Sequence, residues 1–297
     1  MMKFYIEPGK YVVAVSGGVD SVVLLDLLYK QSNCEFIVAH FDHGIREDSV
    51  NDRKFVQDLA RNYGLQFEYK RENLGPDASE EVARTRRYKF LESAVKKYSA
   101  DAIVTAHHKD DLLETAVFNL LRGTARSGLT SLRTTDKIIR PLLDYRKAEV
   151  LKYAKQKKLV WCEDPTNLST KYTRNKIRKF LKEVSPSQKG KLEDLLSANS
   201  ARNLEMDQLI EGIFSHGYDK QKQCFDRSFF VSLPHKIACE LMVFWLKELG
   251  AKHDKKRVEK LVNELKTLKP GAKTDIDKNR YFEVTTKQIG IQTRSSV

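Results

Sequence analysis

The chain has 297 residues, enough to bury a substantial core in one domain of about 200 residues and to form a smaller second domain. Lysine and arginine number 53 against 40 aspartates and glutamates, and the net charge of +13 favours a polyanionic partner, most simply nucleic acid, with a generally cationic protein as the alternative. No apolar run reaches about 18 residues and residues 1–10 contain a Glu-Pro-Gly, so the sequence predicts neither a membrane span nor a signal peptide. Its 4 scattered cysteines, without a CxxC pair, favour reduced thiols, so we expect a cytoplasmic protein with no membrane partner.

The stretch YVVAVSGGVDSVVLLDLL, from Tyr11 to Leu28, predicts a buried strand that runs through two glycines into a helix. Glycine lets the backbone approach a ligand closely, and the N–H groups and dipole of a helix N-terminus attract anions. The stretch lacks both the lysine of the common nucleotide loop and the third glycine of the dinucleotide fingerprint. It is therefore typical of a phosphate-binding loop of another kind, and the alternative is an ordinary glycine-rich turn.

Apolar patterning along the next 130 or so residues predicts alternating strands and helices. The predicted strands are residues 35–41, 65–69 and 102–106. The predicted helices are residues 51–63, 79–98 and 146–157, with a further helix that follows the HHKDD cluster and runs through Leu121. This alternation implies an α/β fold with a doubly wound, mostly parallel sheet covered by helices on both faces.

The character of the sequence changes after Trp161. A strongly basic segment at residues 171–182 precedes a long helical pattern, and from about Gly217 a small α+β module begins. There we predict short strands near Cys224 and Phe229, helices at 237–249 and 256–268, and final strands in YFEVTTKQIGIQ. We therefore divide the chain into an N-terminal domain at 1–184, a helical linker at 185–216 and a small C-terminal domain at 217–297.

Three polar clusters follow predicted strands at the point where each strand ends. SGGVDS follows the first strand, HFDHGIR the second and HHKDDLLET the fourth. Ligands of such sheets bind outside the carboxyl ends of the strands, so we expect all three clusters at one edge of the sheet.

Eight motifs occur in a fixed order: SGGVDS, HFDHGIR, ARTRRYKF, TAHHKDDLLET, NLLRGT, RPLL, WCEDPTN and YTRNKIR. The first resembles the pyrophosphate loop (PP-loop) of the N-type ATP pyrophosphatases, and the ordered set, from about Tyr11 to Arg178, resembles the tRNA(Ile)-lysidine synthases. One departure is Ala125, where that family usually has glycine. The resemblance implies a PP-loop, adenine nucleotide α-hydrolase-like catalytic domain and a C-terminal domain that binds tRNA.

The activity implied by the resemblance is a ligase reaction in two steps. ATP, with Mg²⁺, adenylylates the C2 oxygen of the wobble cytidine in tRNA(Ile) with a CAU anticodon, and free L-lysine then displaces AMP to give lysidine. The oligomeric state is left open by the sequence, with a homodimer as one option.

The resemblance also implies roles for particular residues. The ATP-binding residues are Ser16, Gly17, Gly18, Val19, Asp20, Ser21 and His40; the catalytic residues are Asp20, Arg86 and His107; the lysine-binding residues are Asp111 and Glu114; and the tRNA-binding residues are Arg122, Tyr172, Arg174 and Arg178. Asp20 is assigned as a Mg²⁺ ligand, because a carboxylate and a phosphate repel each other unless a cation lies between them.

Each role has a structural alternative. Asp20 could complement the helix dipole, Asp111 and Glu114 could form an ordinary acidic first turn, and the arginines could lie on solvated helix faces, with Arg84 or Arg87 acting beside Arg86. The histidines His40, His43, His107 and His108 could instead form a zinc site.

Two other functions compete with the ligase. A tRNA 2-thiolating enzyme would use the same ATP loop but needs paired or catalytic cysteines, against which the scattered cysteines argue. A non-catalytic RNA-binding protein on a relic nucleotide fold would not need the complete SGGVDS and HHKDDLLET motifs.

Overall fold

The computed structural model describes residues 2–31, 33–44, 49–75, 79–124, 126–163 and 173–294. Contacts divide the chain into two compact units, Met1–Leu196 and Ser197–Val297. The division predicted from the sequence, with a separate helical linker at residues 185–216, stays a prediction. Among the described residues, no helix combines the length and the apolar character needed to cross a membrane.

The first unit contains a five-stranded sheet and seven helices in the described residues. The strands are β1 (Gly9–Ala14), β2 (Cys34–Asp42), β3 (Gln66–Arg71), β4 (Ala102–Val104) and β5 (Ile138–Ile139), and the helices are α1 (Val19–Tyr29), α2 (Ser49–Asn62), α3 (Glu80–Tyr98), α4 (Lys109–Leu121), α5 (Arg126–Leu129), α6 (Lys147–Gln156) and α7 (Thr173–Glu183). The strand order is β3-β2-β1-β4-β5, and all neighbouring strands pair in parallel. The predicted doubly wound α/β fold is confirmed.

Strand β1 is apolar from Tyr11 to Ala14 because both of its faces are covered there. Val13 belongs to the core formed with α1, α2 and α6, whereas Val12 belongs to the core on the other face, where α3 contributes Phe90 and Leu91. Alternate residues of a strand point to opposite faces, so a strand buried on both sides reads as a continuous apolar run. With both faces occupied, the carboxyl edge of the sheet is left as the place for a ligand.

The second unit has its own sheet and its own core. The long helix α8 (Pro186–Gly217) begins in the first unit and ends in the second, and it is followed by β6 (Tyr218–Asp219), β7 (Cys224–Asp226), α9 (Arg227–Ser232), α10 (His235–Glu248), α11 (Lys255–Thr267), β8 (Lys273–Asp275), β9 (Arg280–Val284) and β10 (Gln288–Thr293). The order β6-β7-β10-β9-β8 is antiparallel throughout. Trp245, Phe225 and Phe282 are fully buried in its core.

The predicted strand near Phe229 was wrong. Residues 227–232 form the helix α9, in which the side chain of Asp226 accepts a hydrogen bond from the Phe229 N–H at 2.7 Å. This side-chain cap starts a helix in a segment whose aromatic and β-branched residues favour a strand.

Candidate active site

The glycine-rich loop between β1 and α1 is held by hydrogen bonds from its own serines. Gly17 has φ +94°, a conformation that residues with a side chain rarely adopt, so the backbone of the loop requires glycine. The Ser21 hydroxyl accepts from the Gly17 N–H at 3.2 Å and donates to the Gly18 carbonyl at 2.8 Å, and Ser16 Oγ lies 3.4 Å from the Gly18 nitrogen. Val19 and Ser21 are buried in the first turn of α1, and the N-terminal end of this helix favours an anion.

Two more distant residues support this loop from behind. The Cys162 N–H donates to the Gly17 carbonyl at 2.9 Å. His40, buried at the end of β2, donates from Nδ1 to the Val15 carbonyl at 2.9 Å, and burial lowers the pKa of its imidazole. The structure therefore shows His40 bound to the strand that leads into the loop, and its contact with ATP stays a prediction.

Asp20 faces two cationic or potentially cationic side chains. Both of its carboxylate oxygens lie 2.7 Å from Lys147 Nζ, and Oδ1 lies 3.9 Å from His108 Nε2. The lysine ammonium shows that the Asp20 carboxylate, 29% exposed, faces a position that a cation can occupy.

The donor set beside the loop fits Mg²⁺ better than Zn²⁺. Mg²⁺ commonly binds one or two carboxylates together with substrate phosphates and water, which suits the single carboxylate of Asp20 beside a phosphate loop. Across the parts of the chain that the structure describes, no group of three or more His, Cys, Asp or Glu side chains could hold a metal ion, so the four histidines lack the arrangement of a zinc site.

His108 links Asp20 to Asp111 at the start of α4. Its backbone N–H donates to Asp111 Oδ2 at 2.9 Å, and its Nδ1 lies 3.5 Å from the same oxygen. Because His108 Nε2 also faces Asp20, the two carboxylates lie on either side of one imidazole. Burial raises the pKa of Asp111, and the nearby negative charges of Glu114 and Asp20 act in the same direction.

Glu114, one turn after Asp111, has a cationic partner that the sequence pattern did not indicate. Its buried carboxylate accepts two hydrogen bonds from Arg178 of α7, at 2.7 Å from Nε and 2.9 Å from Nη2. Helix α7 is held against α4 by an apolar cluster that includes Ile177, Leu181 and Leu113. Of the two predicted lysine-binding acids, Glu114 therefore has a bidentate arginine partner.

His107 lies in a strongly positive environment. Its Nδ1 shares a hydrogen bond of 2.9 Å with Thr105 Oγ1, and burial, reinforced by the positive charges of Arg140, Arg87 and Arg84, holds the pKa of His107 well below its usual value. His107 is thus a neutral imidazole at physiological pH, and the stable positive charges beside it belong to the arginines.

The arginines of α3 do not all face His107. Arg84 and Arg87 lie over the Tyr88 ring, 4.9 and 5.7 Å from its centroid. Arg86, the predicted catalytic residue, is 53% exposed, and its nearest acid is Glu72 at 3.9 Å. The positive charges of Arg84 and Arg87 therefore act on His107, whereas Arg86 lies on the solvent side of the helix.

The predicted tRNA-binding arginines are placed differently from one another. Arg122 ends α4 on the surface, 5.3 Å from the Phe118 ring, and Arg174 lies 5.4 Å from the same ring while its Nε is 2.8 Å from Glu80. Arg178 pairs with Glu114, and Tyr172 lies outside the described residues.

Three functional candidates were missed by the sequence analysis. Lys147 carries no motif signal of its own, because it meets Asp20 only through the packing of α6 on α1. Arg140 stands in the RPLL motif, which could have identified it, and His108 was grouped with His107 without a separate role.

The fold and this edge define a class of protein: a doubly wound α/β protein with a glycine-rich loop between β1 and α1, at the point where the strand order reverses between β1 and β4. Residues 2–185 match the family model described as a PP-loop domain, and the chain belongs to the PP-loop family. Membership of this family implies the use of ATP and confirms the resemblance indicated by the ordered motifs.

The chain is also similar to curated proteins. It is 41% identical over 197 residues to the tRNA(Ile)-lysidine synthase of Thermotoga maritima, covering 61% of this chain and 48% of the relative. It is 34% identical over 261 residues to the tRNA(Ile)-lysidine synthase of Exiguobacterium sibiricum, covering 85% of this chain and 62% of the relative. The chain thus spans about half of the first relative and about three fifths of the second.

Among solved structures, the U34-tRNA thiolase NcsA of Methanococcus maripaludis, with its 4Fe-4S cluster, gives a TM-score of 0.53 at 23% identity. The likeness covers 64% of this chain and 70% of that chain. At this identity it shows the shared fold alone.

Proposed function

We propose that this chain ligates free L-lysine to C2 of the wobble cytidine of tRNA(Ile) with a CAU anticodon, through an adenylylated tRNA, to form lysidine. The observation that carries the proposal is the position of Asp20 and Asp111 on either side of His108, beside the PP-loop. This arrangement brings an ATP site and an acidic site for a cationic amino acid to one edge of the sheet. The names of the similar curated proteins support the same reaction.

In the first step, the C2 oxygen of cytidine attacks the α-phosphorus of ATP, and the bond to the β-phosphate oxygen breaks to release pyrophosphate. Ser16, Gly17, Gly18 and Ser21 would hold the β- and γ-phosphates, and Asp20 would hold a Mg²⁺ ion, which would neutralise part of their charge. Arg84, Arg87 and Arg140 surround His107 with positive charge, which stabilises the negative charge that develops on phosphate oxygens in the transition state.

In the second step, the ε-amino nitrogen of lysine attacks C2, and AMP leaves with the C2 oxygen. An ammonium group has no free electron pair, so a base must first accept a proton from it. We assign this role to Asp111, because burial raises its pKa and makes its carboxylate a better proton acceptor. Glu114, whose charge is balanced by Arg178, orients the bound amino acid.

The tRNA is held by sequence-independent contacts from basic surfaces, including α7 and the C-terminal part of the chain. A wobble base is single-stranded and can be splayed into a pocket at modest energetic cost. We place the reaction in the cytoplasm, where tRNA, ATP and free lysine are all available.

Nucleoside analysis by mass spectrometry tests this function directly. The protein is incubated with ATP, Mg²⁺, lysine and the tRNA, which is then digested to nucleosides. We expect one cytidine per tRNA to gain the mass of lysine less water, with equal amounts of pyrophosphate and AMP released. Asp20→Ala protein and a methionine tRNA with the same anticodon serve as controls.

Two outcomes would contradict the proposal. Added sulfur would identify a thiolating enzyme. Binding of tRNA without any change in mass would identify a non-catalytic RNA-binding protein.

A further inference from the structure

Lys147 forms a close ion pair with Asp20 beside the PP-loop, and the proposed reaction gives it no role. Its Nζ lies 2.7 Å from both carboxylate oxygens of Asp20, and the two side chains are 37% and 29% exposed, so the pair remains open to solvent and to a ligand.

The position of Lys147 is unfavourable for its own helix. It is the first residue of α6, and the N-terminal end of a helix dipole repels a positive charge. The stability of α6 therefore does not explain a lysine there, whereas the carboxylate of Asp20 does.

The backbone at Lys147 is fixed from several directions. Its N–H donates to Asp110 Oδ2 at 2.7 Å, and Val150 and Ala154 anchor α6 in the main core. The preceding residue, Arg146, pairs with the largely buried Glu193 of α8 at 2.8 Å. Because the backbone is held, movement of the flexible side chain is the motion left to the ammonium group.

This inference rests on the proposed function, because it concerns the nucleotide site. We propose that Lys147 is the resident counter-ion of Asp20, which Mg²⁺ replaces when ATP binds, and that the released ammonium then pairs with a phosphate of the triphosphate. Lys147 is thus both a competitor of the metal in the free protein and a phosphate ligand in the complex.

The charges at this site favour such an exchange. An ammonium bound to both Asp20 oxygens occupies one lone-pair position on each, and its positive charge repels a divalent ion from the positions that remain. A triphosphate at the loop brings several negative charges to within a few ångströms, so an ammonium displaced from Asp20 has an anionic partner nearby.

Two binding measurements on Lys147→Gln test the proposal without using activity. Mn²⁺ binding in the absence of nucleotide is followed by electron paramagnetic resonance, and ATP binding at saturating Mg²⁺ by titration calorimetry. We expect Mn²⁺ affinity to rise by about fivefold, because the competitor is gone, and ATP affinity to fall by about tenfold, because one phosphate contact is lost.

Matched variants separate this effect from a change in folding. Lys147→Arg keeps the charge and should stay within about threefold of the wild type in ATP affinity. Lys152→Gln, which removes an exposed lysine from the same helix, should leave both affinities unchanged. Lys147→Met provides a second neutral variant if the glutamine variant does not fold.

Opposite changes in the two affinities support the proposal, and any other pattern overturns it. If neutral variants leave Mn²⁺ affinity unchanged, the metal does not replace Lys147, and if they leave ATP affinity unchanged, the ammonium does not contact phosphate. If the affinities do not change as expected but the wild-type protein forms lysidine, the exchange of Lys147 for Mg²⁺ is refuted and the proposed reaction is not. If both affinities change as expected but the wild-type protein forms no lysidine, the proposed reaction is refuted and the exchange is not.

Discussion

Asp111 combines a structural cost with a chemical use. Burial and the nearby acids raise its pKa, which means that its ionised form is less stable in the folded protein than in the unfolded chain. A raised carboxyl pKa therefore lowers the free energy of unfolding above about pH 4, where the unfolded chain has released the proton. The negative charge of Asp111 thus lowers stability, and its proposed use is to accept a proton from the bound lysine.

Asp111→Asn should therefore separate stability from activity. The amide oxygen can still accept the His108 N–H, while the unfavourable buried charge is removed. We expect the free energy of unfolding at pH 7 to rise and lysine-dependent AMP release to fall by at least about 100-fold. Urea unfolding and AMP assays measure the two effects, with Asp58→Asn on the exposed face of α2 as the control. A variant with wild-type lysine dependence would show that Asp111 is not the base.

His43 should make the first unit less stable in mild acid. Burial, with a contribution from Arg87, lowers the pKa of His43 to about 4, whereas an unfolded histidine has a pKa near 6.5. Between these values the unfolded chain binds the extra proton, so the free energy of unfolding should increase with pH, by up to about 3 kcal/mol for this residue.

Urea unfolding at several pH values between 4 and 7 tests this prediction. Fluorescence of Trp161, recorded in a Trp245→Phe background, reports on the first unit. His43→Gln should flatten the pH dependence, and His235→Gln in the second unit should not. If the free energy of unfolding depends on pH equally in the wild type and in His43→Gln, this histidine is not the origin of the acid sensitivity.

Much of this site could be predicted at the level of single residues, because the acids and histidines lie in contiguous motifs. Asp20 and Asp111 were identified from SGGVDS and HHKDDLLET, and the structure brings them together through His108. The partners Lys147 and Arg178 could not be predicted, since nothing local marks a basic residue that meets an acid through packing of distant helices.

At the scale of helices, α7 shows how one segment can serve two purposes. Arg174 and Arg178 are within ion-pair distance of Glu80 and Glu114, whereas Lys176 and Lys179 are exposed. Salt-dependent binding of nucleic acid comes from cations that displace counterions from phosphates. Exposed lysines are better placed for this than arginines that already have acidic partners.

A paired substitution distinguishes these roles. Lys176→Gln with Lys179→Gln should weaken tRNA binding and reduce the slope of log affinity against log salt by roughly 1.5, as expected for two phosphate contacts. Arg178→Gln should leave that slope unchanged and instead raise the KM for lysine. Fluorescence anisotropy over a salt series measures the slopes, with Lys152→Gln and Lys155→Gln on α6 as the matched control. If the salt dependence of tRNA binding changes in Arg178→Gln but not in the double lysine variant, Arg178 contacts the tRNA and the two lysines do not.

The helices and strands of the first unit were predictable because strands and helices there alternate with strong apolar patterning. The segment after β7 was not, since DRSFFVS has the composition of a strand and the decisive feature is the single hydrogen bond from Phe229 to Asp226. The spacing of apolar residues and the propensities of single residues therefore predict long helices and strands better than short ones. In a short segment, one capping hydrogen bond can determine whether a helix or a strand forms.

At the scale of the molecule, the two units have separate cores and should give separate thermal transitions. ATP with Mg²⁺ at about 100 times its dissociation constant should stabilise only the first unit, by about 2.7 kcal/mol, which corresponds to a rise of roughly 5 °C or more. Phe282→Ala, in the core of the second unit, should lower only the other transition, by about 3 to 5 kcal/mol. Differential scanning calorimetry with and without nucleotide measures both shifts. A single transition that responds to both changes would contradict independent folding of the two units.

The contact between Asp20 and Lys147 joins residues 127 positions apart, and it has a consequence for how the protein is made. At about 5 to 20 residues per second, a ribosome needs roughly 6 to 25 s to synthesise the chain between them. During that interval the first strand and helix of the nascent chain carry an aspartate whose partner does not yet exist. The nucleotide loop therefore gains this ion pair only after Lys147 has been synthesised, long after its own residues.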